Sequence, residues 1–290
     1  MSTRNIVVFG QSGAGKSSVV NLMAGKEIAK TSIETRRCTM HWTEYPIAFD
    51  GYNFNAFDTI GMEDHQLGID GYFSAVENAY HLITRLQNEG GIHLLLFCVR
   101  AGRYTSTTQT NYRLFHEWLC ERKVPIVLII TGLEEEQNMN DWWIRSKHAF
   151  EHNGVIVDGH ACITAITGLN DRQQRLFEES RKLVRDLVIQ HANLKVDNRD
   201  NEYNGGDGRT VDDGYNGNDG HNGDNRYERR SGLLRMLMRM LKQLLPSNDT
   251  PKEKAIVSVL TKRCGMPREA AVRLAKQVKR DFKAREQPPR

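Results

Sequence analysis

At 290 residues the chain is long enough for one large domain and a small one, and 39% hydrophobic with 26% charged residues is the composition of a globular protein. No run of about eighteen apolar residues is present, which excludes a membrane-spanning helix. The net charge is +4, but residues 231–290 hold fifteen Lys and Arg against five Asp and Glu, a net of +10 that leaves −6 on the rest.

A basic tail of this kind suits an anionic or acidic partner. The first residues show no apolar stretch followed by a small-residue cleavage site, so no secretory signal is expected and the expected location is cytoplasmic. Cys38, Cys98, Cys120, Cys162 and Cys264 are scattered and form no CxxC pair, so reduced thiols are expected and a zinc site is not.

In chain order, residues 6–9 read as a buried strand and 17–24 as a helix. Residues 43–49 and 52–57 alternate around Asp50-Gly51, a hairpin signal. Phe73, Val76, Ala79, Tyr80, Ile83 and Leu86 have helical spacing within 72–88. A strand over 92–99, a helix over 109–122 and a strand over 125–130 follow. The domain closes with a helix over 141–152, a strand over 161–167 and an amphipathic helix over 171–190. Trp142-Trp143, at a helix start, read as partly core. Wholly apolar strands separated by helices indicate an α/β fold, a mostly parallel sheet covered on both faces. The expected division is a nucleotide-binding domain over 1–196, a linker over 197–230 and a basic helical tail over 231–290. The linker is Asn-, Asp- and Gly-rich and has almost nothing to bury; its Asp-Gly repeats lack the Glu that closes a calcium loop. In the tail, 232–245, 255–264 and 268–285 read as helices, with Gly265 as a cap and Pro267 opening the last.

The chemistry starts at residues 10–17, GQSGAGKS, which match GxxxxGK[ST] between a strand and a helix. Gly10, Gln11, Ser12, Gly13, Ala14, Gly15, Lys16, Ser17 and Ser18 are the candidate phosphate contacts. The glycines let successive N–H groups curl round a phosphate, and the helix that starts there adds its positive end. Lys16 would reach the β and γ phosphates, and Ser17 would offer a hydroxyl to magnesium. Asp58 and Gly61 complete DTIG, a DxxG in which Asp58 would hold Mg2+ through water and the Gly61 N–H would sense the γ phosphate. A threonine should close over the metal between these motifs; Thr35 and Thr39 both qualify, and Thr39, just before a strand, is favoured. Where a base-reading NKxD would follow the fifth strand stand Thr131, Gly132, Leu133 and Glu134. Glu134 would accept from the N1 and exocyclic amine of guanine as an Asp does, or it merely begins the acidic run 134–136. Gly132 removes the lysine whose stem packs on the purine. Ala165 sits in a small loop placed to back the base. Met62 stands where a water-orienting glutamine often follows DxxG, so slow hydrolysis is expected.

With these residues in view, the first 190 or so resemble the septin-like branch of the TRAFAC GTPases, which holds the immunity-associated (GIMAP) and chloroplast-import Toc GTPases. They look closest to G-domain proteins of mushroom-forming fungi. The resemblance rests on residues 5–32, the Cys38-Thr39 pair, DTIG, TGLE and the segment VRAGRYT over 99–105. It implies a three-layer G domain that binds GTP and GDP with Mg2+ and forms a nucleotide-dependent homodimer; scaffolding on membrane surfaces is common in the branch. Arg103, in that last segment, would reach a partner's phosphates as an arginine finger, or it is a solvated or dimer-bridging residue. The candidate catalytic residues are thus Lys16, Thr39, Gly61 and Arg103. The expected function is a GTP-binding switch or scaffold with slow, dimerisation-stimulated hydrolysis; the alternatives are a non-hydrolysing scaffold or an ATPase. The helix over 232–245 reads equally as an in-plane membrane helix on an anionic surface or as a helix packed on protein. Nucleic acid is disfavoured, because the tail's only aromatic residue is Phe282.

Overall fold

The structure is a computed structural model that describes residues 3–30, 42–59, 68–102, 104–166, 170–192, 252–262, 266 and 268–286. Thr35, Thr39, Gly61, Met62, Arg103, the segment 197–230 and the helix expected over 232–245 lie outside them.

Six strands form one sheet: β1 Arg4–Gly10, β2 Trp42–Phe49, β3 Tyr52–Thr59, β4 Leu94–Arg100, β5 Ile126–Thr131 and β6 Gly159–Cys162. Their order is β2-β3-β1-β4-β5-β6, and every pairing is parallel except the β2–β3 hairpin. Asp50 (φ 51°) and Gly51 (φ 81°) make the turn of that hairpin, as the Asp-Gly signal predicts. Around the sheet lie α1 Lys16–Ala24, α2 Gly68–Asn88, α3 Ser106–Tyr112, α4 Asn140–His152 and α5 Asp171–Ala192. A π-helical stretch, Arg113–Leu119, continues α3.

Strands buried on both faces explain the apolar runs, and the two-residue period divides them. Ile6, Val8, Leu94, Leu96, Val127 and Ile129 face α1 and α5, and share a buried cluster with Val19, Val20, Val184 and Val188. Val7, Phe9, Leu95, Phe97, Leu128 and Ile130 face the other way, toward Leu82, Ile83, Leu86 and Phe115. On that side the rings of Phe9 and Phe97 stack at 4.9 Å, and those of Phe9 and Phe115 at 4.4 Å. Trp142 is buried in the same cluster and Trp143 packs against it, in keeping with a partly core pair. The thiols of Cys98 and Cys120 are buried and pushed up to about 12, so both are held as neutral core side chains.

Several boundaries differ from expectation by a few residues, and for two of them the structure shows the cause. The helix expected over 109–122 begins at Ser106, because Thr105 caps it: its hydroxyl accepts from the Thr108 N–H at 3.2 Å. The strand expected over 161–167 is Gly159–Cys162, because only 159–162 pair with β5; beyond it the Thr164 N–H turns away to donate to Ser180 Oγ.

The tail contributes α6 Glu253–Lys262 and α7 Arg268–Glu286, the helical hairpin that the sequence suggests. Ile256, Leu260, Ala270, Ala271, Ala275 and Val278 are 0% exposed and join the same cluster as Phe9, Leu82 and Phe115. Spacing of 270, 271, 274, 275 and 278 puts one apolar stripe inward, while Arg268, Arg273, Lys276 and Arg280 stay exposed. No helix among the described residues is long and apolar enough to cross a membrane.

His93 offers a pH probe of the sheet. Its Nδ1 accepts from the Asn5 N–H at 3.1 Å, and burial, with Arg4 adding to it, lowers its pKa. Above the unfolded value the ring is neutral in both states and costs nothing. Below it the unfolded chain takes up the proton first, so stability falls as pH drops from about 6.5 toward the folded pKa. Asn at this position keeps an acceptor near Nδ1 and cannot be charged. His93→Asn is therefore expected to lose less of its unfolding temperature between pH 7 and 5 than the wild type. His116 and His160, also lowered by burial, keep the slope from vanishing. Thermal unfolding followed by circular dichroism across that range measures it.

Candidate functional site

The loop over 10–15 leaves the C-terminal end of β1, where the chain's neighbours diverge to β3 on one side and β4 on the other. That is the crevice where open α/β sheets bind ligands. Two glycines are obligatory there. A Cβ at Gly10 would lie 2.1 Å from the Cys98 carbonyl oxygen, so β1 and β4 could not sit side by side. Gly15 has φ +82°, and a Cβ there would press on the Thr131 side chain at 3.2 Å.

Lys16, 8% exposed, turns its Nζ back onto this loop and donates to the carbonyls of Gly10 at 3.1 Å and Gln11 at 3.0 Å. Ser17 Oγ donates to Asp58 Oδ2 at 2.6 Å. Register fixes the acid: Asp58 pairs with Val8, and Thr59 Oγ1 donates to the Val8 carbonyl at 3.0 Å, locking the end of β3 to β1.

Asp58 Oδ1 is buried and has no hydrogen-bond partner among the described residues. Burial raises the Asp58 pKa; the Ser17 hydrogen bond and the Lys16 charge oppose that without cancelling it. An orphaned carboxylate oxygen beside a serine hydroxyl is the hard-oxygen donor set that Mg2+ prefers, with room left to waters and phosphate. The residues present therefore fit a magnesium-bound phosphate chain.

The other end of the site is built from β5. Thr131 Oγ1 donates to the Ala14 carbonyl at 3.0 Å, tying this strand's end to the phosphate loop. Glu134 Oε2 is buried with no partner among the described residues. The loop that holds Ala165 lies alongside, since the Ile163 N–H donates to the Ile130 carbonyl at 2.8 Å. Lys16, Ser17 and Asp58 are thus gathered at one end of the crevice and Thr131, Gly132 and Glu134 border it. Sequence reasoning missed Arg100. It closes the apolar strand β4 directly beside Thr131 in register, and its side chain lies against Gly132. A charged residue ending an otherwise apolar strand is the signal that marked it.

Sheet order, phosphate loop and acid together define the class: this is the fold of a P-loop GTPase G domain, with a mostly parallel sheet between two layers of helices. Residues 5–132 match the family model of the 50S ribosome-binding GTPases. Among curated proteins, the chain is similar to the tRNA modification GTPase MnmE of Hydrogenovibrio crunogenus, 29% identical over 94 residues, 31% of this chain and 21% of that protein. It is also similar to the immune-associated nucleotide-binding protein 7 of Arabidopsis thaliana, 30% identical over 151 residues, 48% of this chain and 45% of the relative. The chain therefore spans about a fifth of the one and under half of the other. Among solved structures, Toc33 of Arabidopsis thaliana in complex with GDP and Mg2+ aligns with a TM-score of 0.47 at 16% identity, over 67% of this chain and 86% of that one.

Proposed function

We propose that this chain binds GTP and GDP with Mg2+ and hydrolyses GTP slowly, in a dimer that speeds the reaction, as a nucleotide switch or scaffold. The observation that carries the reading is the Ser17–Asp58 pair, with its orphaned Oδ1, next to a buried Lys16 folded onto the phosphate loop.

In this reading the N–H groups over 10–15 and the α1 N-terminus hold the phosphates, and Lys16 exchanges its carbonyl partners for β and γ oxygens. Ser17 and Asp58 hold the magnesium site, with Thr39 closing it. Magnesium, when bound, withdraws charge from the phosphate oxygens. The Gly61 N–H reports the γ phosphate, and Arg103 of a second copy reaches the phosphates. Glu134 reads guanine. The chain is of the septin-like branch and works in the cytoplasm or at a membrane face through residues 232–285. The support for guanine is Glu134 Oε2, and the support for the branch is similarity to the immune-associated nucleotide-binding protein.

One sequence feature favours a second reading: Met62 cannot orient water, which suits a scaffold that holds GTP without turning it over. Turnover of GTP and of ATP, measured against protein concentration, decides between the readings. A rate per subunit that rises with concentration and prefers GTP is expected. No turnover at any concentration would leave the scaffold, and preference for ATP would remove the guanine assignment.

A further inference from the structure

The base-reading motif NKxD has a lysine where this chain has Gly132. The backbone at 132 suits glycine, and the space beside it is bordered by Arg100. Gly132 has φ +80°, and a Cβ built on it would lie 3.4 Å from Arg100 Cγ and 3.6 Å from both Cζ and Nε. Arg100 thus lies along the backbone of Gly132 with stem and guanidinium together.

The arrangement is fixed from below. Arg100 and Thr131 are neighbours in the parallel β4–β5 register, and the Ala101 N–H donates to the Thr131 carbonyl at 2.8 Å. Thr131 in turn holds the phosphate loop through the Ala14 carbonyl at 3.0 Å. Two residues past Gly132 stands Glu134, whose buried Oε2 has no partner among the described residues. One short stretch therefore carries a phosphate-loop anchor, an orphaned acceptor for N–H donors and a cation laid on bare backbone.

We propose that Arg100 supplies, from β4, the base-packing cation that position 132 lacks, so that a guanine base packs on its stem and guanidinium plane. This rests on the GTP reading and goes beyond it by naming a specificity residue outside the motif. A planar guanidinium stacks on an aromatic face more effectively than a lysine ammonium, because it is flat and more weakly hydrated. A side chain at 132 would be strained by the positive φ and would pack directly on Arg100, so Arg100 and Gly132 act as a pair.

The test is equilibrium titration of the full chain with GTP, GDP and inorganic tripolyphosphate in Mg2+, for the wild type, Arg100→Ala and Arg100→Lys, with Lys16→Ala as control. Arg100 is exposed, so the alanine variant should unfold at the wild-type temperature. Its Kd for GTP and GDP is expected to rise about tenfold, equal to about 1.4 kcal/mol. Its affinity for tripolyphosphate, which has no base, should not change. Arg100→Lys, which keeps stem and charge, should fall between the two and serves if the alanine variant folds poorly. Wild-type affinity for GTP in both variants would overturn the proposal. So would equal losses for GTP and tripolyphosphate, which would make Arg100 a phosphate contact. Failure of the GTP reading itself has a different signature: a wild type that binds tripolyphosphate and no guanine nucleotide, or in which Lys16→Ala changes nothing.

Discussion

Replacing Asp58 by Asn is expected to raise the unfolding temperature of the nucleotide-free protein while lowering Mg2+-dependent GTP turnover by at least about a hundredfold. The two effects share one cause. Asp58 is largely buried, its Oδ1 has no partner among the described residues, and burial is the leading influence that raises its pKa. A buried charge with one oxygen unmatched costs folding free energy that a neutral amide does not. Asparagine keeps the shape and still lets its oxygen accept from Ser17 Oγ, which now donates to Oδ2 at 2.6 Å. The attraction of Lys16 is lost, but in the raised pKa burial outweighs it. A gain on the order of 1 kcal/mol would appear as a rise of about 2–4 °C for a domain of this size. The same substitution removes the negative charge that fits the site to a divalent cation. Stability would then be gained where function is lost, as expected for a residue held under strain for a ligand. Differential scanning fluorimetry with and without Mg2+, beside a GTP turnover assay, reads both. An unfolding temperature that falls, together with unchanged turnover, would show Asp58 to be a structural strand end.

The strands and the phosphate loop were legible in the sequence because their physics is local. A parallel strand buried on both faces must be a run such as IVVF or IVLII, and a curled anion-binding loop needs its glycines at fixed steps. The hairpin was legible for a similar reason, since Asp50 and Gly51 tolerate positive φ. Boundaries set by tertiary partners were not. β6 stops at Cys162 because pairing to β5 ends there, and the apolar pattern over 161–167 continues past it. Nothing in the spacing of 109–122 announces that Arg113–Leu119 widens into a π-helix. The Thr105 cap was visible as a residue type, yet it became a cap only through its bond to Thr108.

In the site, Lys16, Ser17 and Asp58 could be named from motifs, whereas their mutual distances and the orphaned Oδ1 are products of the β1–β3 register. Arg100 shows the limit most clearly. Sequence alone records that the lysine is missing at 132, and only the β4–β5 pairing reveals which side chain lies there. The tail has the same character, since its amphipathic period was readable and the surface it covers was not.

That surface governs the second large effect. Leu260→Ala is expected to destabilise the whole chain by about 2–5 kcal/mol, in one transition. Leu260 is 0% exposed, and with Ile256, Ala271 and Val278 it belongs to the same buried cluster as Phe9 and Phe97 of the sheet and Leu82 of α2. The hairpin is also pinned by polar contacts. Arg113 of the π-helical stretch donates through Nη1 to the Lys262 carbonyl at 2.7 Å, placing a cation at the C-terminus of α6. The Met266 N–H donates to the Leu260 carbonyl at 3.0 Å. With about 2–4 °C lost per kcal/mol, the unfolding temperature should drop by roughly 4–20 °C. The drop must be felt by the sheet, because α6 and α7 cover apolar side chains that would otherwise face water. A tail that folded on its own would behave differently: the variant would melt a separate helical transition and leave the rest unchanged. Calorimetry separates the two outcomes. Leu260→Met, similar in volume, should cost less than about 1.5 kcal/mol, tying the loss to packing. The small residues of α7 make the same point from the other side. Ala270, Ala271 and Ala275 are fully buried, which means the helix backbone approaches its neighbours closely there. A larger side chain at 271 would have to push the hairpin off the domain.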